Sequence, residues 1–134
     1  MIVVDTNVLL DLIDETSAWS AWSRSAFAST AEQLAVNHVI FAEMSGQFAS
    51  LDDELAFFRE LGIDIVMLND LAAFRAGKAH LAYRAAGGKR ETILADFLIG
   101  GHAVSLGAKL LTRDRQRFAT YFPDLTLITP ETHP

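Results

Sequence analysis

Four acids in this chain stand where a carboxylate has no evident reason to be. Asp5 follows the apolar run Ile2-Val3-Val4, and Asp114 follows Leu110-Leu111 by way of Thr112-Arg113. Glu43 sits among Val39, Ile40, Phe41, Ala42 and Met44, and Asp96 among Ile93, Leu94, Ala95, Phe97, Leu98 and Ile99. An ionised carboxylate in apolar surroundings must shift its pKa, pair with a base or bind a metal. Carboxylate oxygen is a hard ligand, so a cluster of such acids suits Mg²⁺ or Mn²⁺, ions that keep water and open positions for a substrate phosphate. An ion held this way lowers the pKa of bound water and stabilises the leaving oxygen of an in-line displacement. Each acid also has a plainer role, a structural ion pair for Glu43 and Asp96 or a helix cap for Asp114.

The elements around these acids alternate. Residues 2–4 read as a buried strand and 7–13 as a helix capped by Asn7; residues 17–31 form a second helix opened by Thr16 or Ser17. Residues 34–36 are a strand, after which Asn37 caps a helix reaching about Ala49. A helix over 51–61 ends at Gly62, a strand runs over 63–68, and Asn69 opens a helix to Ala86 that Gly87-Gly88 stops. Thr92 opens a helix to about Leu106, ended by Gly107. A strand over 109–111, a short helix over 114–121 and a strand over 125–128 complete the chain. This alternation predicts an α/β fold, a three-layer α/β/α sandwich with a mainly parallel central sheet. If the strands before Asp5 and Asp114 are neighbours at the sheet's switch point, both acids face one crevice, and Glu43 and Asp96 reach it from flanking helices.

With 134 residues, of which 51% are hydrophobic, one domain spanning 1–134 is expected. The chain has no cysteine, which removes disulfides, thiolate zinc sites and cysteine nucleophiles. No apolar run approaches the roughly 18 residues of a membrane span, and a cytoplasmic location is the expectation. The net charge of −6 speaks against a nucleic-acid partner on average, but it is unevenly spread. Residues 1–70 hold twelve acids and two bases, whereas residues 71–134 hold five acids and nine bases. Lys89, Arg90, Arg113, Arg115 and Arg117 are candidate phosphate contacts, with solvated helix ends as their plain alternative. Trp19 and Trp22 are read as core or as a partner-facing pair, and His102 as a packed or surface histidine rather than a base.

The set Asp5-Thr6-Asn7 after the first strand, Glu43 in the third helix, Asp96 in Asp-Phe-Leu-Ile-Gly-Gly-His-Ala, and Thr112-Arg113-Asp114 leading to Phe118 resembles the PIN-domain family, and within it VapC-like toxins. The resemblance spans essentially the whole chain and no acid of the pattern is missing. It implies a magnesium- or manganese-dependent endoribonuclease, the toxin of a toxin–antitoxin pair, that cleaves RNA by water attack. On this reading Asp5, Asp96 and Asp114 hold the ion directly or through water, and Glu43 is a ligand or orients the attacking water. Thr112 would position a carboxylate or water, while Thr6 and Asn7 cap the first helix and border the site. The family further implies a homodimer and a small antitoxin partner.

Other readings of the same residues are a non-cleaving RNA- or partner-binding module, and a metal-dependent nuclease or phosphatase acting on DNA or small phosphates. An aspartyl-nucleophile phosphatase would want an acid two residues after Asp5, where Asn7 stands. A response-regulator-like switch would want a lysine ending the last strand, and none is there.

Overall fold

The computed structural model of the chain describes residues 1–88 and 93–134. Lys89 and Arg90, and Thr92 as the expected cap of the sixth helix, lie outside the described residues. Five short strands, β1 (Ile2–Val4), β2 (Leu34–Val36), β3 (Ile63–Ile65), β4 (Lys109–Leu111) and β5 (Leu127–Ile128), form one sheet in the order β3-β2-β1-β4-β5. Every pairing is parallel, with Ile2 opposite Leu34 and Val4 opposite Leu111. All three residues of β1 and of β2 are buried, as expected where a parallel sheet is covered on both faces. The covering helices are α1 (Thr6–Ile13), α2 (Ser20–Ala28), α3 (His38–Met44), α4 (Leu51–Glu60), α5 (Asp70–Ala85), α6 (Ile93–Ser105) and α7 (Arg115–Tyr121).

Several boundaries differ from the sequence expectation, each for a local reason. α1 is capped by Asp5, not by Asn7 or Thr6: Asp5 is extended (φ −70, ψ 151) and its carboxylate accepts the Thr6 N–H. α2 starts at Ser20 rather than near 17, because Asp14 Oδ1 takes both the N–H and the hydroxyl of Thr16 (3.0 and 2.6 Å), holding that stretch in a turn. The helix opened by Asn37 ends at Met44 and tightens into a 3₁₀ turn over Ser45–Gln47, with the Ser45 hydroxyl bonded back to the Phe41 carbonyl at 3.0 Å. β3 stops at Ile65 since its partner β2 ends at Val36, after which Asn37 begins a helix and offers no further ladder. β5 is only two residues long because the Leu125 N–H is spent on the Phe122 carbonyl in a turn.

The Gly100-Gly101 pair explains how α6 sits. A side chain at Gly101 would stand 3.0 Å from the Ala72 carbonyl oxygen and the Ala76 nitrogen of α5, while one at Gly100 would overlap the Phe122 ring at 2.5 Å. The absence of both side chains lets α6 press against α5 on one side and the α7 region on the other. That contact fixes the helix that carries Asp96. Among the described residues no helix is long and apolar enough to cross a membrane.

Candidate active site

The sheet order changes direction between β1 and β4: strands β2 and β3 are laid down on one side of β1, and the chain then returns to its other side. This is the switch point of an open parallel sheet, where a crevice forms beyond the strands' carboxyl ends. Asp5 and Thr112 leave the sheet there together, with the Asp5 N–H donating to the Leu111 carbonyl at 2.9 Å.

Asp5 is only 4% exposed and is fully engaged. Its Oδ1 accepts the Thr6 N–H at 2.8 Å, and its Oδ2 accepts the Thr112 hydroxyl at 2.6 Å and Asn7 Nδ2 at 3.1 Å. The Thr112 oxygen also accepts the Asp114 N–H at 3.0 Å, and Asn7 Oδ1 accepts the Arg113 N–H at 3.2 Å. Asn7 is therefore a clasp between the two strand ends. Burial pushes the Asp5 carboxyl up to about 6; the Thr112 hydroxyl and Thr6 N–H oppose this, and the charges of Asp96 and Glu43 add to it.

The other acids meet this centre from three helices. Glu43 is exposed rather than sunk among its apolar sequence neighbours, and its Oε1 accepts the Thr6 hydroxyl at 2.8 Å. Asp96 is half-buried and ion-paired to Arg117. Its pKa is raised, first by burial and further by Glu43 and Asp114, while Arg117 lowers it. Asp114 caps α7 through the Arg117 N–H at 3.3 Å, and its Oδ2 lies 3.5 Å from the Arg117 guanidinium. Asp114 thus serves as the expected cap and also faces Arg117, the partner of Asp96. The charges of Asp96 and Glu43 thus act on Asp5, and those of Glu43 and Asp114 on Asp96, which links the four expected acids across the strand ends.

The basic residues are used differently. Arg113 turns away from the cluster, its Nε 2.9 Å from Asp11 Oδ2 without hydrogen-bond alignment and its guanidinium over the Trp19 ring at 5.9 Å. Arg115 is exposed at the start of α7, and Arg117 lies inside the cluster. Trp22 packs against the core and donates its indole N–H to the His133 carbonyl at 2.8 Å, whereas Trp19 is exposed.

Asp11 was not singled out in the sequence. It is 2% exposed and accepts the hydroxyls of Ser17 and Ser23 at 2.7 and 2.6 Å in addition to pairing with Arg113. It ties α1, the α1–α2 turn and α2 to the loop that presents Asp114. Its signal is the one that marked the other acids, a carboxylate between Leu10 and Leu12. His102 is buried, with Nδ1 3.2 Å from Asn37 Nδ2.

An oxygen-only donor set with raised carboxyl pKa values has the chemistry of a hard divalent cation site. Among the described residues, however, no three acidic or imidazole groups already stand grouped as ligands, and Arg117 bridges two of the acids.

No curated protein matches the sequence. The fold is shared with VapBC2 from Rickettsia felis bound to a promoter DNA fragment (TM-score 0.71, 20% identity, 96% of this chain and 98% of that one). It is shared equally with a toxin–antitoxin complex from Klebsiella pneumoniae (0.73, 21%, 97% and 98%). VapC20 from Mycobacterium tuberculosis, described as a Sarcin-Ricin loop cleaving toxin, is similar as well (0.70, 13%, 90% and 95%). A family model described as the PIN domain matches residues 2–122, and the chain belongs to the PIN-domain family.

Proposed function

We propose that this protein is a divalent-metal-dependent endoribonuclease, the toxin of a toxin–antitoxin pair. The observation that carries the proposal is the approach of Asp5, Glu43, Asp96 and Asp114 to the switch point, where burial, and then the charges of neighbouring acids, raise the pKa values of Asp5 and Asp96. Asp5, Asp96 and Asp114 hold Mg²⁺ or Mn²⁺, and Glu43 is a further ligand or orients the attacking water. When bound, the ion supplies an activated water and neutralises charge on the phosphate. The chain's own contribution is order. Thr112 fixes Asp5 and the Asp114 backbone with one hydroxyl, Asn7 joins the two strand ends, and Thr6 aims Glu43.

RNA is the substrate class favoured by the family and by the description of the similar mycobacterial toxin. Arg115, Lys89 and Arg90 are the side chains assigned to its phosphates. The similarity to toxin–antitoxin complexes supports a small antitoxin as partner, and a homodimer is carried over from the same resemblance. Induced expression in bacteria tests the role: the wild type should arrest growth and leave new RNA 5′ ends, and Asp5→Asn should do neither. Equal growth of the two strains at equal protein levels would count against a toxin.

A further inference from the structure

We infer that Arg117 is a resident counter-cation of the acid cluster, competing with a divalent ion for Asp96 and Asp114 and thereby setting how much metal the protein needs. The inference rests on the proposed metal site and adds a residue that weakens it. One guanidinium nitrogen contacts Asp96 Oδ2 and lies 3.5 Å from Asp114 Oδ2. It therefore stands between Asp96 of α6 and Asp114, the cap of α7, two of the acids that would hold the ion. The four acids are held in two ways. Asp5 and Glu43 are held by threonine hydroxyls, which a bound ion can leave in place. Asp96 and Asp114 are held by a full positive charge, which a cation must displace or tolerate at short range.

Displacement is feasible without unfolding. Arg117 is 37% exposed, and beside it opens a hollow of about 350 Å³ lined by Tyr83, Asp114, Gln116, Thr120 and Tyr121. The α7 backbone does not depend on the guanidinium, since the Asp114 cap uses the Arg117 N–H. Removing the side-chain charge should therefore tighten metal binding, the opposite of what loss of a structural ion pair would do.

Calorimetric titration of Mn²⁺ into the full chain tests this, with wild type and Arg117→Gln compared after circular dichroism shows both folded. The glutamine variant should bind Mn²⁺ about two- to fivefold more tightly, the scale of releasing one partly exposed ion pair. Equal or weaker binding would overturn the role of Arg117 while leaving the metal site standing. Failure of both proteins to bind Mn²⁺ would overturn the metal site and this inference with it. In the wild type itself, the Arg117 Nε–H NMR resonance should move as Mg²⁺ is added. A resonance unmoved at saturating Mg²⁺ would overturn the competition even if the variant did not fold.

Discussion

Thr112 shows how much one side chain decides. Its hydroxyl donates to the buried Asp5 carboxylate and accepts the Asp114 N–H, so a single oxygen sets the distance between two acids from different strands. Thr112→Val keeps the shape and removes both bonds. Stability should fall by about 1–3 kcal/mol, measured by denaturant unfolding, because Asp5 keeps its burial and loses its strongest donor. Metal-dependent cleavage should fall roughly 10- to 100-fold, the usual effect of losing a ligand's orienting partner. The strand-end acids were legible in the sequence because a carboxylate after an apolar run is conspicuous. Asn7 was legible as a polar residue beside the site but not as a clasp, since its partners Thr112 and Arg113 lie about a hundred positions away in the chain. Asp11 carried a readable signal, yet its partners Ser17, Ser23 and Arg113 become visible only once α1, α2 and the β4–α7 loop are folded together.

Among the elements, α6 carries Asp96 and depends on close approach. Gly101→Ala would push a methyl group against the α5 backbone, where no side chain can yield. About 1–3 kcal/mol of stability should be lost, and Asp96 displaced, which thermal unfolding and metal titration would register. The same helix places His102 under α3, where burial lowers the imidazole pKa; the Met67 backbone lies in reach to oppose this, although Nε2 makes no hydrogen bond. The folded state disfavours the imidazolium, so this contribution is intact above the unfolded value of about 6.5 and is lost as pH falls through the lower folded value. Melting temperatures between pH 8 and 5 should therefore drop more steeply for the wild type than for His102→Gln, and parallel slopes would refute the assignment. Strands 2–4, 34–36 and 109–111 could be read from apolar runs, and the caps Asn37, Asn69 and Asp114 from their residue types, whereas the caps of α1 and α2 could not. The lengths of β3 and β5 could not, because the first is fixed by where its partner β2 ends and the second by the turn that takes the Leu125 N–H.

For the whole molecule, the relevant quantity is charge. A net −6 protein whose expected site is built of four acids should gain little from nucleic acid until cations offset those charges. Mg²⁺ or Mn²⁺ should accordingly raise the melting temperature of the wild type in a concentration-dependent way, since a ligand that binds only the folded state stabilises it. Ca²⁺-free buffer with EDTA should give the baseline, and Asp96→Asn should blunt the response. The parallel α/β architecture was legible from the alternation of elements, whereas the strand order that makes β1 and β4 neighbours emerged only from the three-dimensional pairing. That adjacency is what brings the strand ends of Asp5 and Thr112 together.

The most direct test is cleavage of a mixed RNA pool by the purified protein with Mg²⁺, with Mn²⁺ and with EDTA, alongside Asp5→Asn and Asp96→Asn. The carboxylate-metal account predicts cutting by the wild type with either ion, none with EDTA, and loss in both variants. Cutting that survives EDTA, or persists undiminished in both folded variants, would contradict it.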